Sequence, residues 1–338
     1  MKPPKGLFIL GFEAYNAVYA PHAALEICKR VEILASPLVR SKAIQHPELL
    51  AEMELLFSGW SAPRVDQAFL DAAPKLKAIF YAGGAINGWA TPAVWERGIV
   101  VTTANHANAI PVAEYTLATI LFSLKHGWRL ACDKHPPRGF QVRPEIPGNY
   151  NAVVGLIGVG TIGRMVVQLL APFDMTILAY DPFLSPKDAQ RLGVKCVELE
   201  ELFSHSDVVS LHAPSLPSTT GMIDASLLDR MRYGSTFINT ARGRVVREAD
   251  LISVLHRRPD LQAVLDVTEH EPLPPDSPLN SLPNVVLTPH IAGSQGRECQ
   301  RMGEYMLDEL DRYLTGRPLL WQANREDLPH SVHQLIRA

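Results

Sequence analysis

Three phrases in the chain carry residue types that folding alone does not call for: NTARGRVV at 239–246, DVTEHEP at 266–272 and LTPHIAGS at 287–294. Arg242 offers a planar fork of donors that fits a carboxylate or a developing oxyanion, which a lysine could not reproduce. His290 offers an imidazole able to give or take a proton near neutral pH. Glu271 offers a carboxylate that can bond the second ring nitrogen, fixing the ring and favouring its charged form. Upstream lies Gly158-Val159-Gly160-Thr161-Ile162-Gly163, a spacing that suits a dinucleotide phosphate. A cofactor cradle, a cation for an oxyanion and a partnered imidazole are together the parts of a hydride-transfer site.

Those parts need strand ends and helix starts to hold them. Short apolar runs alternate with helical patterns along most of the chain, which is the signature of an α/β protein. In the first third, LFILGF (7–12), VEIL (31–34), LLFSG (55–59), KAIFY (77–81) and IVVTT (99–103) read as strands, with helical stretches around 21–30 and 64–72. The apolar spacing of PVAEYTLATILFSLKHGWRLA predicts a long helix over 111–131 with Pro111 in its first turn. HPPRGFQVRPEIPG (135–148) reads as a loop, and a second strand series follows: 152–158, 175–181, 194–199, 207–214, 235–240, 262–267 and 285–289. Near-continuous Val, Ile and Leu suit strands buried on both faces of a parallel sheet. A last helix is expected over roughly 296–314, ending near Gly316 and Pro318, with the polar tail 319–338 unassigned. Two domains are therefore expected, an outer one over 1–103 plus 295–338 and a dinucleotide-binding one over 104–294, with the chain crossing near 103 and 294.

The glycine loop gains weight from its context. It follows an apolar strand and opens the helical run TIGRMVVQLLAPF, so the glycines allow a tight turn and close phosphate approach at a helix N-terminus. The next strand, MTILAY, ends in Asp181, where a carboxylate can accept from both adenosine ribose hydroxyls and repel a 2′-phosphate. Residues 182–186 contain no Arg or Lys, so NAD is expected over NADP.

Composition excludes several other classes. A net charge of −3 without a dense basic run gives no electrostatic footprint for nucleic acid. No segment approaches the ~18 uninterrupted apolar residues of a membrane span, and MKPPKGLFILGF is too short in its apolar part for a signal sequence. Cys28, Cys132, Cys196 and Cys299 lack paired spacing, which fits reduced structural thiols in a cytoplasmic protein and no metal site. Of twelve histidines, His22, His46, His106, His126, His135, His205, His256, His270 and His330 read as ordinary core or surface residues.

The phrases GLIGVGTIGR, DVVSLHAPSLPSTTGMID, FINTARGRVVREADL, DVTEHEPLPPDSPLNSLPNVVLTPHIAGS and NAIPVAEYTLA closely resemble the NAD-dependent D-2-hydroxyacid dehydrogenases, densely over roughly 95–315 and thinly over 1–94. That resemblance implies two Rossmann-like domains with parallel sheets and an active site in the cleft between them. It implies interconversion of a small D-2-hydroxy acid and its 2-oxo acid. Arg242 would bind the substrate carboxylate and 2-oxo oxygen, His290 would be the acid/base and Glu271 its partner. Asp266 would lie near the nicotinamide carboxamide, or else cap the turn after its strand. His212 and Thr240 fall beside the cofactor, and Asn108 matches a substrate-side asparagine, though it also reads as a helix cap. Arg244 and Arg247 read as surface salt-bridge residues. The apolar helix resembles the family's dimerisation helix, so a two-fold homodimer is the expectation.

Two departures bear on substrate. YAGGAIN (81–87) corresponds to the family's glycine-rich substrate loop, where Gly83 and Gly84 suit an anion nest, but the usual acidic residue downstream is replaced by Asn87-Gly88-Trp89. After the third strand, where many relatives carry an Arg-Ser type phrase, the chain reads FSGWSAPR; Trp60 stands there and only Arg64 is near, which argues against 3-phosphoglycerate. Trp60 reads as a substrate contact or as a core aromatic. Corepressors that bind NAD on a similar fold are an alternative of another class. NAD-dependent formate dehydrogenases are a second, disfavoured because they carry glutamine where this chain has Glu271.

Overall fold

The chain is described from a computed structural model that covers residues 2–19, 21–132, 143 and 145–325. The stretch 135–148 lies largely outside the described residues, as do His135, His330, the side chain of Cys132 and the tail beyond 325. Two compact units are present, one of residues 1–109 with 294–338 and one of 110–293. The first crossing thus falls inside a helix, beyond the strand end at 103 where the sequence expectation puts it.

The first unit holds a five-stranded parallel sheet. Its strands are β1 (Lys5–Phe8), β2 (Glu32–Ile33), β3 (Leu55–Ser58), β4 (Ala78–Tyr81) and β5 (Val100–Thr103), in the order β2-β1-β3-β4-β5. β3 and β4 are buried at every residue, as uninterrupted apolar strands between two helical layers must be. The helix Glu298–Thr315 returns to this unit and ends as expected at Gly316, whose left-handed backbone (φ 68°) lets its N–H reach Arg312 and Tyr313 carbonyls. The tail's first residues are not free. Buried Glu309 accepts from the backbone N–H of Leu320 at 3.0 Å and of Trp321 at 3.1 Å, and Gln322 bridges antiparallel to Thr102.

The second unit holds a seven-stranded parallel sheet: β6 (Ala152–Ile157), β7 (Met175–Tyr180), β8 (Lys195–Cys196), β9 (Val208–Leu211), β10 (Thr236–Asn239), β11 (Gln262–Leu265) and β12 (Val285–Leu287). The order is β12-β11-β10-β9-β6-β7-β8, so the direction of winding switches beside β6, whose carboxyl end carries the glycine loop. Open α/β sheets place ligands at that switch. Apolar side chains of β6, β7 and the helix Thr161–Leu170 fill the core on one side, and those of β9, β10 and the helix Glu248–Arg257 fill the other.

The long helix differs from its expected bounds. It runs Asn105–Ser123, with Pro111 inside it, and a second short helix, Gly127–Cys132, follows a turn at His126. Apolar periodicity begins at Pro111, but the N–H of Asn108 already bonds the Ala104 carbonyl at 3.0 Å, so the helix starts on polar residues that periodicity does not register. Pro111 forfeits one backbone bond without ending it.

Candidate active site

The cofactor loop follows β6. Gly158 has φ of 91°, and a Cβ there would lie 2.7 Å from the Ala213 nitrogen; one on Gly163 would lie 2.3 Å from the Gly158 carbonyl oxygen. Both positions admit only glycine. A Cβ on Gly160 would meet nothing within 4 Å, so the space over the start of the helix Thr161–Leu170 is open, and no side chain caps it. Uncapped N–H groups at a helix start suit a pyrophosphate. Thr161 is exposed there, whereas Ile162 packs on the core and would meet a ligand through its backbone.

Asp181 follows β7 and is already engaged. Its Oδ2 accepts the Val159 N–H at 2.7 Å and its Oδ1 the Phe183 N–H at 2.8 Å, which ties the strand end to the glycine loop. Each carboxylate oxygen keeps a further lone pair, so ribose hydroxyls fit. His212 donates its backbone N–H to the Ile157 carbonyl at 2.7 Å, and its Nε2 lies 3.0 Å from Ser210 Oγ. Its Nδ1 is buried with no partner, and burial pushes the imidazole pKa down to about 4, so the ring is neutral at physiological pH. An unpartnered interior nitrogen beside the glycine loop fits a bound cofactor better than a closed core. Thr240 is buried with its Oγ1 3.2 Å from Thr116 Oγ1.

The acid/base pair stands on the loop after β12. His290 Nδ1 lies 2.6 Å from Glu271 Oε2, and no protein group meets Nε2 among the described residues. Both side chains are about half exposed, 49% and 40%. His290 has φ of 54°, a left-handed conformation uncommon outside glycine, so the loop must be held in place. Asp266 does so from the end of β11. It is buried, and its Oδ1 accepts from Thr288 Oγ1 at 2.7 Å and the Ile291 N–H at 2.8 Å. Its Oδ2 accepts the Ala292 N–H at 2.9 Å, and its backbone carbonyl accepts the His290 N–H at 3.0 Å. Asp266 thus caps not the turn after its own strand but the loop after β12, with one Oδ2 lone pair left for any other ligand.

Arg242 follows β10, exposed, in extended backbone just before a single 3-10 turn at Gly243–Val245. Its only side-chain bond among the described residues is Nη1 to the Ala241 carbonyl at 2.6 Å, so no carboxylate neutralises it. Arg247, by contrast, pairs with Asp250 at 3.3 Å. Gly243 is what brings the Arg242 turn onto the Glu271 segment. A Cβ there would lie 2.0 Å from the Thr268 carbonyl carbon, so only glycine allows the two backbones to touch. Asn239 fixes the turn from below, accepting the Ala241 N–H at 3.0 Å and donating to the Arg242 carbonyl at 3.2 Å.

In the first unit, the candidate substrate residues lie at its own carboxyl edge. Gly83 packs over the Tyr81 ring, which a Cβ would meet at 2.7 Å, and a Cβ on Gly84 would lie 3.3 Å from Asn105 Oδ1 and 3.7 Å from Asn108 Nδ2. Asn108 does not cap its helix; it sits within the first turn and its Oδ1 accepts the Ser294 N–H at 2.9 Å, leaving the amide group toward the glycines. Trp60 is 39% exposed, which removes the reading as a core aromatic; Trp89 fills that role, packed on Tyr81.

Sequence reasoning missed Thr288 and Tyr115. Thr288 gives its one hydroxyl proton to Asp266 Oδ1, so the Tyr115 hydroxyl, 2.9 Å from Thr288 Oγ1, must be the donor in that pair. Both residues sit inside quoted phrases, but no local spacing links a helix at 115 with a strand end at 288.

Comparison with known proteins agrees with this architecture. The family model "D-isomer specific 2-hydroxyacid dehydrogenase, NAD binding domain" matches residues 131–292. D-3-phosphoglycerate dehydrogenase of Archaeoglobus fulgidus is 34% identical over 261 residues, 77% of this chain and 49% of that protein; the chain thus spans about half the length of such relatives. Glyoxylate reductase of Korarchaeum cryptofilum is 33% identical over 264 residues, 75% of this chain and 77% of that protein. Among solved structures, the TT0316 protein of Thermus thermophilus is 28% identical with a TM-score of 0.72, covering 94% of this chain and all of that one. D-mandelate dehydrogenase of Rhodotorula graminis shares the fold at 24% identity, with a TM-score of 0.77 over 96% and 98% of the two chains.

Proposed function

The chain belongs to the D-isomer specific 2-hydroxyacid dehydrogenases, and from that premise we propose that it interconverts a small D-2-hydroxy acid and its 2-oxo acid with NAD. The supporting observation is the 2.6 Å pair of Glu271 and His290 Nδ1, which leaves Nε2 free for a substrate oxygen. In the reducing direction His290 gives a proton to the carbonyl oxygen; in the oxidising direction it takes the hydroxyl proton. Glu271 keeps Nδ1 bonded and the ring oriented, so the exchanged proton is on Nε2. Arg242, paired with no carboxylate among the described residues, holds the substrate carboxylate and the oxygen on which negative charge develops. When bound, the nicotinamide supplies or accepts the hydride. Gly158, Gly160, Thr161, Ile162 and Gly163 would hold its phosphates, and Asp181 the adenosine ribose. His212, Thr240 and Asp266 would line the rest of its site.

Gly83, Gly84, Asn108 and Trp60 serve the substrate from the first unit in this reading. The carboxylate at 271 disfavours formate oxidation, which has no hydroxyl proton to remove. A cytoplasmic homodimer is the expected form; the helix Asn105–Ser123 offers a 42% exposed Phe122 to a second copy, and no helix among the described residues is long and apolar enough to cross a membrane. The test is a panel of 2-oxo acids followed by NADH oxidation, with NADPH in parallel. NADH should give the higher kcat/KM, and Asp181→Ala should narrow that gap; absence of turnover with every acid would leave only the NAD-binding module.

A further inference from the structure

The carboxyl edge of the first sheet is built as a firm platform. Tyr19 is fully buried and donates its hydroxyl to the Ser58 carbonyl at 2.9 Å, while Ser58 Oγ donates to the Ile9 carbonyl at 2.6 Å, so the ends of β1 and β3 are locked from beneath. Above them the loops are laid side by side. The Gly11 N–H bonds the Trp60 carbonyl at 3.1 Å, and the Ala82 N–H bonds the Ser58 carbonyl at 2.9 Å. A Cβ on Gly59 would lie 3.2 Å from the Ala82 carbonyl oxygen. Phe12, Trp60 and the Gly83–Gly84 loop are thereby successive neighbours along one edge, the edge at which open α/β sheets meet ligands.

On this platform two large apolar side chains face water. Phe12 is 66% and Trp60 39% exposed, and neither ring packs on another aromatic among the described residues, unlike Phe8, Phe57 and Phe80 below them. Trp60 is presented by a turn whose next residue, Ser61, takes φ of 66°, an uncommon conformation for a residue with a Cβ. Cations are few: Arg64 points to Asp66 at 3.8 Å, and Arg40 follows the loop beyond β2. A phosphorylated side chain asks for several converging donors, whereas an apolar one asks for rings with unspent faces.

We propose that Phe12 and Trp60 form an aromatic rim that receives the side chain of a non-phosphorylated 2-oxo acid, so that acids with an aromatic or branched apolar side chain are the preferred substrates. This rests on the dehydrogenase reading and adds to it a substrate class and a second determinant, Phe12. The experiment compares phenylpyruvate, 4-methyl-2-oxopentanoate, glyoxylate and 3-phosphohydroxypyruvate by kcat/KM with NADH, in the full chain and in Phe12→Ala, Trp60→Ala and Trp60→Leu. In the unaltered protein phenylpyruvate should exceed glyoxylate, which has no side chain, by about tenfold or more. Each alanine substitution should lower the phenylpyruvate-to-glyoxylate ratio by about tenfold, and Trp60→Leu should retain the preference for the branched acid while losing that for the aromatic one. A ratio that the substitutions leave intact, or a preference for glyoxylate or the phosphorylated acid, overturns the rim while leaving the dehydrogenase in place. Loss of NADH binding together with every turnover in the unaltered chain overturns both.

Discussion

The carboxyl edges of the two sheets are built in opposite ways. At the second, polar groups hold one another: the buried Asp266 carboxylate accepts three hydrogen bonds from the segment that carries His290, and Glu271 holds the imidazole at 2.6 Å. At the first, backbone bonds hold the loops and leave the rings of Phe12 and Trp60 in water. Proton transfer tolerates little misplacement, so its groups are over-determined by hydrogen bonds, although they themselves are half exposed. Side-chain recognition is area-dependent and forgiving, so it can be set by exposed residues whose replacement leaves the scaffold standing.

The sharpest way to break this contrast is to remove the imidazole. His290→Ala should lower kcat by roughly 10²–10⁴-fold, the range for lost general acid–base assistance, with NADH affinity little altered because the glycine loop and Asp181 are untouched. Stopped-flow reduction and fluorescence titration with NADH would read the two quantities separately. Near-full turnover in the variant would move the proton to another group and dissolve the distinction between the two edges.

The sequence shows the two edges unequally, for the same physical reason. Arg242, Glu271 and His290 stand out because polar and ionisable side chains beside strand ends serve no packing purpose, and Gly158 and Gly163 stand out because their sites exclude a Cβ. The strands of both sheets are legible as apolar runs, and the last helix ends at Gly316 as its spacing indicates. The start of the long helix is not legible, since its first turns are polar. Asp266 holding the His290 loop depends on a turn 25 residues downstream, as in its bond to Ile291. Phe12 is invisible among apolar neighbours in LFILGF, where only exposure separates it from Phe8.

The cofactor edge also carries a pH signature. Burial holds His212 at about 4 in the folded chain, against ~6.5 unfolded, so between those values the unfolded state binds more protons. Folding stability contributed by the neutral ring is therefore full above about pH 6.5 and is lost as the pH falls toward 4. His106 and His126, also lowered by burial, act in the same sense. For the protein without cofactor, His212 alone should lower stability at pH 5 by roughly 2 kcal/mol relative to pH 7, measured by urea unfolding. His212→Gln should flatten that slope. An equal slope in the variant would mean that the ring is already solvated in the folded state.

A smaller effect separates positioning from mere stability at the polar edge. Tyr115 donates to Thr288 Oγ1 at 2.9 Å, Thr288 donates to Asp266, and Asp266 holds the backbone N–H groups of His290 and of the two residues after it. Burial raises the phenol pKa above its ordinary value, so the hydroxyl keeps its proton throughout the working range and the donor is permanent. Tyr115→Phe removes that one donor and leaves the ring, and Thr288 can still bond Asp266. The net loss should be about 1 kcal/mol, the usual worth of a hydrogen bond in a partly buried place. If the chain of bonds sets the imidazole's position, part of that loss appears in the transition state: kcat falls about threefold to fivefold while KM for NADH stays put, since a misplaced imidazole weakens only the reacting geometry. Thr288→Val, which deletes both bonds, should deepen the fall in kcat, and Thr288→Ser, which keeps the hydroxyl, should restore most of it. Should melting temperature drop in Tyr115→Phe with kcat intact, the tyrosine steadies the fold alone, and the precision of this edge comes entirely from Asp266.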